Sequence, residues 1–134
     1  MGRRFANGHK YDNFEPEEFH CPCCGVEKMA HSTMSKLEDL RHDYGKRISI
    51  MEGGGWRCGN YDNSNSAHKE GRAVDPSYPR EDHFILLKLA FYYGFTGIGD
   101  KYNDGEYQQH WDDAGVIHGV RPRPRKWTYN SSPD

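Results

Sequence analysis

Apolar residues recur at helical spacing in two stretches of the chain. The first stretch carries them three or four positions apart, at Met34, Leu37, Leu40 and Tyr44. This pattern predicts a helix that is capped by Ser32 or Thr33 and closed by Gly45 just after its last turn. The second stretch, 79–93, is apolar on nearly all sides, so it predicts a second helix that is the most buried element of the fold.

Shorter stretches predict strands. Residues 47–51 alternate in polarity, residues 96–99 are small, and residues 108–112 resume after a polar loop. The segment 121–129 contains two prolines, which lack a backbone N–H, so it is predicted to be extended but not an interior strand. Together these elements predict an α+β fold in which a small antiparallel sheet packs with two main helices.

Length and composition predict one domain with a small core. The chain has 134 residues, of which 34% are hydrophobic, and its 15 Gly and 7 Pro indicate many loops. We expect a loose N-terminal arm at 1–12, the domain at 13–129 and a tail at 130–134. The net charge of −2 gives no electrostatic reason to expect nucleic acid or an anionic membrane as a partner. We find no apolar run of membrane-spanning length and no apolar signal-peptide segment at the N-terminus.

The four cysteines leave three alternatives open. Cys21, Cys23 and Cys24 lie close together in the sequence, and Cys58 stands alone. Cys21 and Cys24 have the C-x-x-C spacing of half a zinc site, which Cys58 and a histidine would complete. A disulfide between Cys58 and one of the other three is the second alternative, and plain buried thiols are the third. In the absence of a signal peptide, reduced thiols are the expectation.

The stretch 66–76 carries the strongest chemical pattern in the chain. It places His68 and Asp75 seven positions apart, with a glycine and an alanine between them. Imidazole and carboxylate are both zinc ligands, and the small residues let the backbone curve so that both side chains reach one ion. A hydrolytic zinc has three protein ligands, so a third must come from farther along the chain. His110 and His118 compete for this position.

The pattern S-x-H-x-x-G-x-A-x-D resembles the first half of the metal site in the zinc D-alanyl-D-alanine carboxypeptidase family. That family includes phage endolysin peptidases and belongs to the hedgehog-like metallopeptidase superfamily. The resemblance to phage-type members continues in G-I-G, then H-x-D, then R-P-R-P-x-x-W-[ST]-Y, and it extends over about 13–129. It implies a zinc cleft with His68, Asp75 and His110 as ligands, because the distances from His110 to both flanking motifs fit the family.

The resemblance also implies two residues that contact substrate. The sequence G-W-R-C at 55–58 resembles a G-Y-R-C turn of the family, in which the arginine faces the substrate. Arg57 is therefore expected to hold a peptide carboxylate or carbonyl, for which a guanidinium is well suited. A surface arginine stacked on Trp56 is the alternative. Ser66 is expected to bind substrate, or equally to cap and orient the loop that carries His68.

The catalytic base is where the chain departs from the family. Many relatives carry an acidic residue three positions before the last histidine, and this chain has Tyr107 there. Glu106, one residue earlier, is therefore carried over as the catalytic base. Asp112, two residues after His110, is expected to be a hydrogen-bond partner of the metal ligand.

The resemblance implies zinc-dependent hydrolysis of a peptidoglycan peptide bond at D-alanine, by carboxypeptidase or endopeptidase action. The cofactor is then Zn²⁺ and the partner a bacterial peptidoglycan peptide. A phage or prophage origin would place the protein in the host cytoplasm before lysis, or in the phage particle. The alternative is a non-catalytic virion or cell-wall-binding protein that keeps the fold and contacts other virion proteins. Tyr107 and an insertion around His118 favour this alternative.

Overall fold

The computed structural model describes residues 3–103, 106–113 and 125–128, and the side chains of 3–100 and 109–113. Within these ranges the fold is α+β, as predicted, with two α-helices, six short strands and three short 3-10 turns. The helices are α1 (His31–Tyr44) and α2 (His83–Tyr92). The strands are β1 (Ser49–Ile50), β2 (Ala73–Val74), β3 (Pro76–Ser77), β4 (Gly97–Asn103), β5 (Glu106–Asp112) and β6 (Arg125–Thr128). No helix in the described ranges combines the length and apolar character needed to cross a membrane.

The strands form two small sheets. β1 and β3 make an antiparallel pair, and the other four strands have the order β2-β5-β4-β6. β5 runs antiparallel to both of its neighbours, whereas β6 runs parallel to β4. β6 follows the two prolines of the C-terminal segment and lies at a sheet edge, as the prolines predict. The antiparallel prediction therefore holds for every described strand pair except β4–β6.

α1 contributes four buried side chains, which are Thr33, Met34, Leu37 and Leu40. The helix begins just after Ala30, earlier than predicted, so Ser32 and Thr33 lie in its first turn. Their hydroxyls donate to the Asp113 carboxylate instead of capping the helix. Gly45 ends the helix as predicted, with a φ of 77° in the left-handed region that favours glycine.

The prediction that the second helix is the most buried element is wrong. Within α2, Leu86 and Ala90 are buried, whereas Phe84, Ile85 and Tyr92 are 81%, 55% and 76% exposed. A helix that is apolar on all sides has no polar face to indicate which side meets solvent. The packing of α2 against α1 and its preceding 3-10 turn determines that side.

Residues 3–12 differ from the expected loose arm because two of their aromatic side chains are buried. Phe5 is 2% exposed and Tyr11 is 5% exposed. The Phe5 ring contacts Tyr11 edge-on, with centroids 5.0 Å apart, and Phe19 at 5.6 Å. The burial of these two large rings favours an ordered segment that packs against the core.

Candidate metal centre

A single 3-10 turn before β2 positions His68. Ala67–Glu70 form the turn, and the Ser66 hydroxyl accepts the His68 backbone N–H at 3.1 Å, so Ser66 caps the turn. Gly71 ends it with a φ of 72°, and a Cβ at this position would lie 2.1 Å from the Lys28 carbonyl oxygen. Only glycine satisfies both the left-handed backbone and this close approach.

β2 leads from this turn to Asp75. The strand pairs with β5, and both of its side chains are buried. The N–H of Asp75 then donates to the Gly54 carbonyl at 2.9 Å, while its carbonyl accepts the Met51 N–H at 3.0 Å. A Cβ on Gly54 would lie 2.8 Å from the Asp75 Cβ. The glycine run before Trp56 therefore lets the loop pass directly against the metal-site carboxylate.

β5 positions His110 and its partner Asp112. Trp111, between them, is fully buried in the core, so the alternation of the strand places His110 and Asp112 on the opposite face. Asp112 pairs with Gly97 of β4, and a Cβ on Gly97 would lie 2.6 Å from the Asp112 carboxylate. Gly97 therefore leaves the space that the Asp112 side chain needs.

The ligand atoms of His68, Asp75 and His110 form a triangle. Nε2 of His68 lies 3.1 Å from Oδ1 of Asp75 and 3.1 Å from Nδ1 of His110, and the latter two atoms are 3.3 Å apart. Zinc bonds of about 2.0–2.1 Å in a tetrahedron put neighbouring ligand atoms about 3.3 Å apart. The triangle therefore has the dimensions of one face of a zinc tetrahedron, and we call these three residues the histidine site.

Hydrogen bonds around the histidine site determine where its protons lie. Nδ1 of His68 is 2.8 Å from the Gly55 carbonyl, which only accepts, so Nδ1 carries a proton and the lone pair of the neutral ring is on Nε2. Nε2 of His110 lies 3.2 Å from the Asp112 carboxylate, which leaves the Nδ1 lone pair of the neutral ring facing inward. Two nitrogen lone pairs and the Asp75 carboxylate thus face one another and require a cation between them.

The pKa values of two site residues reflect this arrangement. Burial raises the pKa of Asp75, but the contacts of its carboxylate with His110 and His68 favour the charged form and hold the pKa well below its usual range. Burial lowers the pKa of His110, but hydrogen bonds to Asp112 and Asp75 and their charge raise it to about 9. In the metal-free protein the cation is therefore the second proton of His110, and a metal ion bound here would take its place.

Arg57 holds the second oxygen of the Asp75 carboxylate. Its NH2 group donates to Oδ2 of Asp75 at 3.0 Å, its NH1 group to Asp62 at 3.0 Å and its Nε to the Gly53 carbonyl at 2.7 Å. Oδ1 of Asp75 is thereby left to face the two histidines. The contact of Arg57 with substrate stays a prediction. The structure shows in addition that Arg57 positions the Asp75 carboxylate.

Some site features were missed by sequence reasoning and others lie outside the described residues. The Gly55 carbonyl and Asp62 were missed, because a backbone acceptor and a loop aspartate carry no distinctive sequence pattern. Of the two competing histidines, His110 completes the triangle, whereas His118 lies outside the described residues. Glu106 begins β5, but its side chain is likewise outside the described part.

The cysteines form a second cluster of candidate ligands. The sulfurs of Cys21, Cys24 and Cys58 lie within 4.8 Å of one another, and all four cysteines are free thiols. Burial raises the pKa of the Cys21 thiol, but backbone hydrogen bonds from Cys58, Cys24 and Cys23 outweigh it and lower the pKa to about 7.

Comparison with known proteins adds no family to this picture. No protein-family model matches the chain, and no curated protein matches it. What the fold and the site define is a small α+β domain with a candidate metal centre of two imidazoles and one carboxylate. The reaction must be inferred from that centre and from the motifs around it.

Proposed function

We propose that this protein is a zinc metallopeptidase that hydrolyses a peptide bond of bacterial peptidoglycan at D-alanine. The observation that carries the proposal is the triangle of His68, Asp75 and His110, with edges of 3.1–3.3 Å. Three protein ligands leave the fourth position of a tetrahedral ion open, which is the arrangement of catalytic rather than structural zinc. The motif resemblance to zinc D-alanyl-D-alanine carboxypeptidases supports the substrate class and a hedgehog-like cleft.

The residues of the histidine site fit Zn²⁺ by their chemistry and by their supporting contacts. Two imidazoles and a carboxylate are ordinary zinc ligands, and each has a partner that fixes its orientation. These partners are the Gly55 carbonyl for His68, Asp112 for His110 and Arg57 for Asp75. When bound, zinc supplies a Lewis acid that polarises a carbonyl group and acidifies water.

The chain's own residues then bind the substrate and move the proton. Three of the five N–H groups of Arg57 are used within the described residues, so two remain for a substrate carboxylate or carbonyl. The Ser66 hydroxyl accepts the His68 N–H and can still donate its own hydrogen to a substrate carbonyl. Glu106, four residues before His110, is the proposed base that takes the proton from water.

Digestion of purified peptidoglycan with the zinc-loaded protein, followed by mass analysis of the products, tests the proposal. We expect release of D-alanine or of peptides with new termini. His110→Ala should abolish product formation, whereas His42→Ala, on the exposed surface of α1, should leave it unchanged. Glu106→Gln should lower turnover about 10²–10⁴-fold and leave zinc bound. Full activity in Glu106→Gln would mean that another carboxylate takes the proton from water.

A second candidate function is a non-catalytic cell-wall-binding protein of a phage particle, and Tyr107 favours it. A tyrosine with a reference pKa of about 10 is protonated at neutral pH, so it donates a proton better than it accepts one. In this case the protein would bind zinc and co-sediment with insoluble peptidoglycan, yet release no product. That combination of results would exclude the enzymatic proposal.

A further inference from the structure

Three thiols from two distant segments of the chain lie close together. The sulfurs of Cys21, Cys24 and Cys58 are within 4.8 Å of one another, and those of Cys21 and Cys58 are 3.6 Å apart. Zinc–sulfur bonds of about 2.3 Å in a tetrahedron put the sulfurs about 3.8 Å apart. A disulfide needs about 2.05 Å. The observed separation therefore matches two thiolates that share one ion.

The loop 21–25 is folded tightly behind the Cys21 sulfur. The N–H of Cys21 donates to the Val26 carbonyl at 2.8 Å, and the N–H of Gly25 donates to the Cys21 carbonyl at 2.8 Å. Gly25 has a φ of 72°, so its left-handed backbone closes the turn. This turn places Cys24 on the same side as Cys21 and brings both sulfurs to the third thiol, Cys58.

A backbone N–H group contacts the Cys21 sulfur. The N–H of Cys58 donates to it at 3.4 Å. Cys21 itself is 1% exposed, so this donor replaces part of the solvent that a charged sulfur would otherwise need. A donor of this kind favours the thiolate, and the thiolate is the form that binds a metal ion.

We propose that Cys21, Cys24 and Cys58 bind a structural zinc ion, separate from the ion of the histidine site. Clustered thiolates select zinc over the harder divalent cations. A structural zinc has four protein ligands, and Cys23 is the remaining thiol of the chain. Cys23 precedes Cys24 in the same loop, so it is the candidate for the fourth position.

This second ion would fasten the N-terminal segment to the loop that supports the histidine site. The backbone N–H of Trp56 donates to the Phe19 carbonyl at 3.0 Å, and a Cβ on Gly55 would lie 2.5 Å from the Phe19 Cα. The Gly55 carbonyl in turn holds the His68 ring. Zinc at the three cysteines would therefore keep the 55–58 segment in place beneath His68, whether or not the histidine site is catalytic.

Metal analysis of protein purified in reducing buffer tests this assignment. We expect about two zinc ions per chain in the unmodified protein and about one in either His110→Ala or Cys24→Ser. The full-length protein, stripped of metal and titrated with Co²⁺, should show a thiolate-to-cobalt charge-transfer band. The band should persist in His110→Ala and disappear in Cys24→Ser. Cys23→Ser should weaken cobalt binding less than Cys24→Ser, because it leaves the three clustered sulfurs of Cys21, Cys24 and Cys58 in place.

The titration of the unmodified protein decides the question even if a cysteine variant fails to fold. A single zinc per chain with no charge-transfer band would overturn the proposal, as would loss of two hydrogen atoms by mass under reducing conditions, which indicates a disulfide. Loss of the band in Cys23→Ser with its retention in Cys24→Ser would overturn the ligand assignment. None of these results depends on peptidoglycan hydrolysis, which His110→Ala tests separately.

Discussion

The two carboxylate oxygens of Asp75 have different partners. Oδ1 faces His68 and His110, while Oδ2 accepts a hydrogen bond from Arg57 at 3.0 Å. Arg57 also donates to Asp62 and to a backbone carbonyl, so its guanidinium is fixed on three sides. A carboxylate held in this way presents one oxygen to an ion without losing rotamer freedom at the moment of binding.

Replacing Arg57 by lysine should therefore weaken zinc binding at the histidine site. A lysine ammonium cannot reach Asp75, Asp62 and the Gly53 carbonyl together, so we expect an affinity about 10–100-fold lower in a competition titration with a chelator. Arg72→Lys is the matched control, because Arg72 contacts Ser32 and Asp113 instead. If Arg57→Lys leaves the zinc affinity unchanged but lowers peptidoglycan hydrolysis, Arg57 acts on the substrate and does not support the metal ligand.

His110 should make metal binding at the proposed zinc site dependent on pH. Its pKa of about 9 means that the metal-free ring is protonated at neutral pH. Zinc must displace that proton, so its apparent affinity should rise about tenfold per pH unit from 7 to 9 and then level off. Chelator competition at several pH values measures this affinity. Asp112→Asn removes a contact that raises the pKa of His110, so in that variant the affinity should level off at a lower pH. A flat profile would contradict the expectation.

The stability of the metal-free protein should change with pH in the opposite sense. The folded pKa of His110, about 9, lies above its ordinary value of 6.5. The contribution of this group is therefore fully present below about pH 6.5 and is lost as the pH rises through about 9. Melting temperatures of chelator-treated protein over this range should fall, and those of the Asp112→Asn variant should fall less.

At the scale of the element, the 3-10 turn, Gly71 and β2 act as one unit that spaces two candidate ligands. The turn presents His68, and β2 carries Asp75 to the same point because it pairs with the strand that holds His110. Gly71 lies against the backbone before α1, where its carbonyl accepts the Ala30 N–H at 3.0 Å. The unit therefore also joins the site to the start of α1.

Gly71→Ala should disrupt this unit. The substitution combines a left-handed φ of 72° with a Cβ only 2.1 Å from the Lys28 carbonyl oxygen. We expect a loss of about 2–4 kcal/mol in unfolding free energy, measured by urea denaturation. Gly45→Ala is the control, because it has a φ of 77° with nothing within 4 Å and should cost only about 1 kcal/mol. Equal losses in the two variants would mean that the Lys28 backbone moves aside.

At the scale of the whole molecule, the core is drawn from segments far apart in the sequence. Phe5, Tyr11 and Phe19 form one aromatic group, and residues of both helices and of β2, β4 and β5 lie in the same cluster. α2 contributes less than its composition suggests, since its exposed side carries Phe84, Ile85 and Tyr92. The N-terminal segment is therefore part of the fold, and the most apolar helix is partly outside it.

Two identical substitutions test this arrangement. Phe5→Ala should lower the unfolding free energy by about 3–5 kcal/mol, because it empties a site that is 2% exposed. Phe84→Ala, at a position that is 81% exposed, should change it by no more than about 0.5 kcal/mol. Urea denaturation of both variants gives the comparison. A change of less than about 1 kcal/mol in Phe5→Ala would instead support the predicted loose N-terminal arm.

Local patterns in the sequence determined the features that depend on neighbouring residues. Helical spacing indicated α1 and its end at Gly45, and two prolines indicated that the last strand lies at an edge. The spacing of His68 and Asp75 indicated two candidate ligands on one curved segment, and the structure brings their side chains together. These features follow from backbone geometry over a few residues, which a sequence pattern expresses directly.

Only the tertiary structure decided which distant groups meet. His110 and Asp75 are 35 positions apart, and their contact depends on the pairing of β2 with β5. The Gly55 carbonyl behind His68, the bond from Arg57 to Asp75 and the meeting of Cys58 with Cys21 likewise arise from packing between segments. The tertiary structure also decided which face of α2 is exposed. An evenly apolar helix buries a similar area whichever side packs, so its neighbours determine which side is covered.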